Sequence, residues 1–303
     1  MKKITLLLLL TLSLSAKNIT PSDVYSQVMV LTDEVHYLLK YYGIEHDHEG
    51  IIKRTTVSTK LKPRNTWQVT YEILVKINIL RNEHGLPTIE PVNIAPILNL
   101  EPYLVYEQTQ RILSELEIFM RRENIVHHEH IKRVPEVKTT IDVYNALTHM
   151  SYAFDELNAE RFTLSYVLGE QMRLYDDITQ LLLELNITDN TIPKKKNIDA
   201  TNEDVLKESI KVLEKIKQLQ IGVGIDFVDF TDFNKENVSP GEIYTLTQMI
   251  LAELQTIKAY VGIKTITPSA SVNQSDTTAA EVEQLVSWNL RKLNLIHSLR
   301  QGK

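Results

Sequence analysis

One pattern constrains this chain more than any other: a single-helix unit recurs along its whole length. The segment Pro21-Ser22-Asp23-Val24-Tyr25 returns as Pro102-Tyr103-Leu104-Val105-Tyr106 and as Pro240-Gly241-Glu242-Ile243-Tyr244. Eighteen residues after each tyrosine comes Gly or Asn and then Ile: Gly43-Ile44, Asn124-Ile125 and Gly262-Ile263. Pro63 and Trp67 open a further copy that closes at Gly85-Leu86, and Thr140, Val143 and Tyr144 open another. With the tyrosine as position zero, weaker copies fall at Leu168, Leu206 and Val286. Position +10 is then apolar in every unit: Val35, Ile77, Leu116, Phe154, Ile178, Ile216, Leu254 and Ile296. Position +13 is apolar too, from Leu38 to Leu299, and position +6 fails only at Lys292. Offsets of 6, 10 and 13 share one helical face, so each unit reads as an amphipathic helix.

The ends of the units have physical causes. Proline at −4 suits a first helical turn, where its missing N–H has no partner to lose. Gly or Asn at +18 suits a left-handed cap, and the apolar residue after it can fold back on the last turn. The unit at Tyr144 lacks this stop, reading Phe162-Thr163, and the next zero position comes only 24 residues later, against 38 to 42 elsewhere. The simplest expectation is that these two helices fuse into one, from about 141 to 185, some ~65 Å long at 1.5 Å per residue. With four units on each side, the predicted fold is all-α: two tandem four-helix domains, 17–162 and 163–303, joined by a continuous long central helix. The connectors run from 16 to 20 residues, above the usual bundle range. They are long enough to return along a helix and start the next one at the same end. Apolar residues such as Ile89, Ile94, Phe227 and Val228 mark them as straps. The sequence pattern leaves parallel and antiparallel neighbours equally open.

The chain begins Met1-Lys2-Lys3, continues apolar from Ile4 to Leu14, and exits through Ser15-Ala16. This is the layout of a secretory signal peptide over 1–16, too short to span a bilayer. The expectation is a soluble mature protein, periplasmic or secreted, with no membrane span. The whole chain carries a formal charge of −6. Without Lys2 and Lys3 there are 31 basic against 39 acidic residues, a charge of −8, which argues against nucleic acid as partner. The absence of cysteine excludes disulfides, Cys-ligated zinc, iron–sulfur clusters and thiol nucleophiles.

Two constellations are candidate sites. Glu45-His46-Asp47-His48-Glu49 and Val126-His127-His128-Glu129-His130 follow helix stops, and His46, His48, His127, His128 and His130 could hold a Zn, Ni or Cu ion through imidazole and carboxylate. The helix-start aromatics Tyr25, Trp67, Tyr106 and Tyr144 could line a ligand pocket if their helices present the same end to one place. The acidic pairs Asp33-Glu34 and Asp176-Asp177 read as solvated helix faces. No Walker loop, His-Glu-X-X-His or Gly-X-Ser-X-Gly occurs. These features point to an exported, non-enzymatic helical-repeat protein that acts as a scaffold or adaptor by binding another protein. The alternative is a small-ligand or metal-binding protein.

Overall fold

A computed structural model describes residues 18–47, 49, 61–127, 136–158, 162–229, 236–269 and 277–299. The signal segment, His48, His128 and His130 lie outside these residues. Among the described residues the chain is all-helical, with eight helices and no strand. They are α1 Pro21–Tyr41, α2 Pro63–Glu83, α3 Pro102–Arg122, α4 Thr140–Leu157, α5 Leu164–Glu184, α6 Asn202–Val223, α7 Pro240–Val261 and α8 Ala279–Asn294. None of them is long and apolar enough to cross a membrane.

Proline stands at the start of α1, α2, α3 and α7. Reciprocal caps close several first turns: Thr20 with Asp23, Thr139 with Asp142, Thr201 with Asp204 and Ser239 with Glu242. Each pair satisfies two of the N–H groups that a helix start leaves without partners. At the other end Gly43, Gly85, Gly224 and Gly262, together with Asn124 and Asn186, take positive φ between 56° and 90°. The next residue then donates its N–H to the carbonyl five positions back, as in Ile44 to Leu39 at 2.9 Å and Ile125 to Met120 at 2.8 Å. This is the Schellman closure, which needs a residue tolerant of the left-handed region.

The +10 residues are 0% exposed in every unit, as core residues of an amphipathic stripe should be. The last unit is the exception in frame. Helix α8 starts at Ala279, which sets its zero position at Glu283. Val282 and Leu293, both fully buried, then take the −1 and +10 roles, one turn earlier than the sequence pattern suggested.

Helix α1 packs on α3 and α4, and α2 packs on the same two; α5 packs on α7 and α8, and α6 packs on the same two. The helices thus form two sets with the same ring order, 1-3-2-4 and 5-7-6-8. Within the first set the opening residues of all four helices, Pro21 and Val24, Pro63 and Thr66, Pro102 and Val105, Thr140 and Val143, surround one small axial void. All four helices therefore run parallel. In the second set Gln171 meets Thr247 near the helix starts, and Gln220 meets Thr256 near the ends, so α5 with α7 and α6 with α7 are parallel too. The long straps carry the chain back each time.

The two sets meet through α2 and α7. Arg64 pairs with Glu253, and Glu72 accepts a hydrogen bond from Thr245, so these helices run antiparallel and the sets point in opposite directions. That geometry corrects the expected continuous central helix. Helix α4 stops at Leu157, and α5 begins at Leu164 after an extended Thr163. Because α4 is parallel to α2, and α5 to α7, the chain must reverse between them, and no straight helix can do so. The reversal starts where α4 ends, needs no return strap, and so takes only six residues. Asn158 anchors it by donating to the Lys76 carbonyl at 3.1 Å. Phe162 is buried, stacked on Tyr166 and edge-on to Tyr244. One hydrophobic cluster runs through both sets.

Candidate functional site

Helices α2 and α7 are buried along most of their surface, yet α2 carries a polar row at every fourth position: Arg64, Gln68, Glu72 and Lys76. Four-residue spacing keeps these side chains on one face, and that face meets α7. At one end the Arg64 guanidinium grips the Glu253 carboxylate with two parallel bonds of 2.9 Å. Asn65 and Gln220 each donate to the same carboxylate at 2.8 Å. At the other end Lys76 sits among Glu72 and Asp155, each 2.9 Å away, and the Ser151 hydroxyl at 2.8 Å. The rings of Phe162 and Tyr152 stand 5.0 and 5.5 Å from its ammonium. Burial opposes charge on Lys76, but the two carboxylates outweigh it and hold the ammonium above its ordinary range. Asp155 is pushed up to about 6, mainly by burial, with Lys76 pulling the other way.

Beside this seam lies a cleft of about 470 Å³. Helix α2 contributes Tyr71, Val75, Asn78 and Asn82, the following strap Thr88, α5 Tyr166 and Glu170, α7 Tyr244, and the strap after α7 Ser269. The wall is held by a short relay. Ser269 donates to Glu170, so the 2.6 Å contact between Tyr71 and Ser269 is donated by the phenol. Arg173 holds the other Glu170 oxygen at 3.2 Å and lies over the Tyr71 ring at 5.6 Å. Burial, then the Glu170 charge, pushes the Tyr71 hydroxyl up to about 12, and the same two causes raise Tyr244 well above its usual value. The cleft thus presents aromatic rings, hydroxyls, amides and one carboxylate, groups that bind and orient a ligand.

The residues proposed from sequence lie elsewhere. Tyr25, Trp67, Tyr106 and Tyr144 do stand at one level of the first set. The void on the axis there, however, is about 10 Å³ and is lined by the −4 and −1 residues rather than by these rings. That is room for about one water. Trp67 stacks near Tyr71, Tyr144 is fully buried, and Tyr25 lies under the Lys138 ammonium at 5.0 Å. Tyr106 is half-buried against the core.

His46 and His127 occupy the opposite end of the first set, each against a different carboxylate. His46 meets Glu156 at 2.5 Å and His127 meets Glu34 at 2.9 Å, while His84 meets Glu123 at 2.9 Å. Among the described residues no three His, Asp or Glu side chains gather as a metal site. The reading of the acidic pairs as solvated faces is corrected at Glu34 and Asp177, both buried. Glu34 receives a strap histidine, and Asp177 receives Lys258, Gln255 and Thr267.

The polar row on α2 escaped the sequence reading because the repeat was followed along its apolar face. Its signal was present: charged and amide residues four apart on a helix whose other faces are already apolar. No known protein family matches the chain, and no curated protein or solved structure shows significant similarity to it.

Proposed function

We propose that this chain is an exported, non-enzymatic binding protein that holds a small ligand in the cleft between its two helical sets. The observation that carries this reading is the cleft itself. Its volume of about 470 Å³ falls in the ~300 to 1,000 Å³ range of small-molecule sites, and its polar groups come from five segments: two straps and three helices. The two sets are read as tandem domains, 17–162 and 163–303, with the ligand at their junction. The signal-like layout of residues 1–16 supports a mature chain in the periplasm or outside the cell.

Native mass spectrometry of protein recovered from the exported fraction tests this reading. Thr88 and Asn82 line the cleft and are exposed, so Thr88→Trp and Asn82→Trp fill it without disturbing the core. A co-purifying small mass should be present in the parent protein and lost from both variants. Its retention in both would locate binding elsewhere. N-terminal sequencing of the same material should begin after residue 15 or 16.

A second reading, a scaffold or adaptor for another protein, is favoured by apolar side chains exposed on the straps. Val92 and Leu98 precede α3, and Ile192 and Ile198 precede α6. Exchanging these four for serine should abolish capture of a partner by the tagged protein if the straps are the docking surface.

A further inference from the structure

The cleft combines aromatic surface with charge of one sign. Among its described lining residues stand Tyr71, Tyr166 and Tyr244, one carboxylate, Glu170, and no lysine, arginine or histidine. Behind the wall, Glu72 and Asp155 stand around Lys76, and Arg173 pairs with Glu170. Carboxylates from this group act on each of the buried tyrosines Tyr71, Tyr144, Tyr152 and Tyr244, and after burial they are a main cause of the raised hydroxyl pKa values.

The seam already holds its own cations in one recurring way, with a carboxylate on one side and an aromatic face on the other. Lys76 lies between Glu72, Asp155 and the rings of Tyr152 and Phe162. Arg173 lies between Glu170 and the ring of Tyr71. Tyr166 carries the same chemistry into the open cleft, with one face taken by Phe162, and the buried Tyr244 forms part of the cleft floor.

From this geometry we infer that the cleft takes a small organic cation, an amine or quaternary ammonium, held by the rings of Tyr166 and Tyr244 and by the Glu170 carboxylate. The inference rests on the reading of the cleft as the ligand site and adds the ligand's class. Ring quadrupoles attract a cation most when water is excluded, and a carboxylate behind them adds attraction that a neutral ligand would not feel. Arg173 offsets part of that charge from behind Tyr71, and the cleft lining itself carries no cation. An anion would meet the Glu170 charge with no facing cation. A neutral sugar could stack on the tyrosines but would leave the carboxylate's charge unused.

Titration calorimetry on the mature full-length chain tests the inference with choline, spermidine, glucose, maltose and acetate as probes. Choline or spermidine should bind, more weakly as salt is raised, while glucose, maltose and acetate give no saturable heat. Glu170→Gln and Tyr166→Leu should each weaken the cation by about tenfold or more, and Thr88→Trp should abolish its binding. Glu170 also holds Arg173 and Ser269, so thermal melts accompany each variant; Tyr166, half-buried at the wall, keeps the test valid if Glu170→Gln unfolds. Binding of glucose, maltose or acetate that is lost in Thr88→Trp would overturn the cation and leave the cleft reading standing. Absence of binding by both cations would overturn the inference whatever the neutral probes do. Cation binding unchanged in Thr88→Trp would overturn the cleft reading itself.

Discussion

At position +9 of the first helix of each set stands a buried carboxylate that receives the strap leaving the third helix. In the first set Glu34 receives His127 at 2.9 Å, and the imidazole stacks on Tyr37 with ring centres 4.2 Å apart. In the second set Asp177 receives the Thr267 hydroxyl at 2.5 Å, and also the Lys258 ammonium and the Gln255 amide. The strap leaving the first helix shows a similar exchange. His46 approaches Glu156 on α4, whereas Asp189, at the same offset in its unit, meets Lys292 on α8 at 2.8 Å, with the carboxylate now on the strap. The fold requires that a returning strap be tied to a neighbouring helix as it leaves the bundle end. It does not require a particular pair. The first set does this with imidazoles at a partly open end, the second with fixed charges and hydroxyls drawn into its core.

The largest expected effect comes from that difference. Asp177 and Lys258 are both fully buried, so Asp177→Ala leaves an ammonium without its counter-charge and should cost about 3 to 5 kcal/mol. His127→Ala, at a contact still partly open to water, should cost only about 1 kcal/mol. Urea denaturation of both variants measures the contrast, and equal losses would erase it. The apolar stripe predicts the opposite, a symmetry: Leu116→Ala and Leu254→Ala, each at +10 and 0% exposed, should lose similar stability, about 2 to 5 kcal/mol. A neutral Leu254→Ala would show that the stripe is not the core of the second set.

The seam between the sets supplies a pH test. The Asp155 carboxyl is raised from 3.8 to about 6 in the folded chain. Between those values the folded state binds more protons than the unfolded, so this group makes stability fall as pH rises through the window. Asp155 is 24% exposed, so the change should reach about 2 to 3 kcal/mol at most. The urea midpoint of the parent, followed from pH 4 to pH 6, should drop relative to that of Asp155→Asn. Parallel curves would remove Asp155 as the cause. The smallest effect concerns the helix stops. Gly262→Ala forces a Cβ into a backbone at φ +90° and should cost about 1 kcal/mol. Asn124→Ala, at φ 58°, should cost no more than this.

Much of the helical layout could be read before any tertiary information. Each stop read from Gly or Asn at +18 is a left-handed residue in the structure, because a Schellman closure depends on the conformational freedom of one residue. Thr, Ser, Asp and Glu at the cap positions are a further legible signal, since each reciprocal cap is local in sequence. The candidate site was not legible in the same way. Tyr71 and Tyr166 belong to different sets and carry no shared offset from their helix starts. Only the meeting of α2 with α7, on which α5 packs, brings them to one cleft. The fused helix failed for a related reason: a missing glycine at Phe162 says nothing about the direction of the next helix.

Helix positions, their buried face and their ends are thus written into the chain locally, through a 3.6-residue period and the backbone preferences of Pro, Gly and Asn. Parallel packing within each set, the reversal between α4 and α5, the polar seam and the cleft beside it arise from contacts between residues far apart in sequence, such as Arg64 with Glu253. An amphipathic stripe tells a helix to bury one face but carries no sense of direction, and a strap long enough to return permits either orientation. The choice is made where caps, ion pairs and packed side chains from several helices are satisfied together, and that condition exists only in the folded molecule.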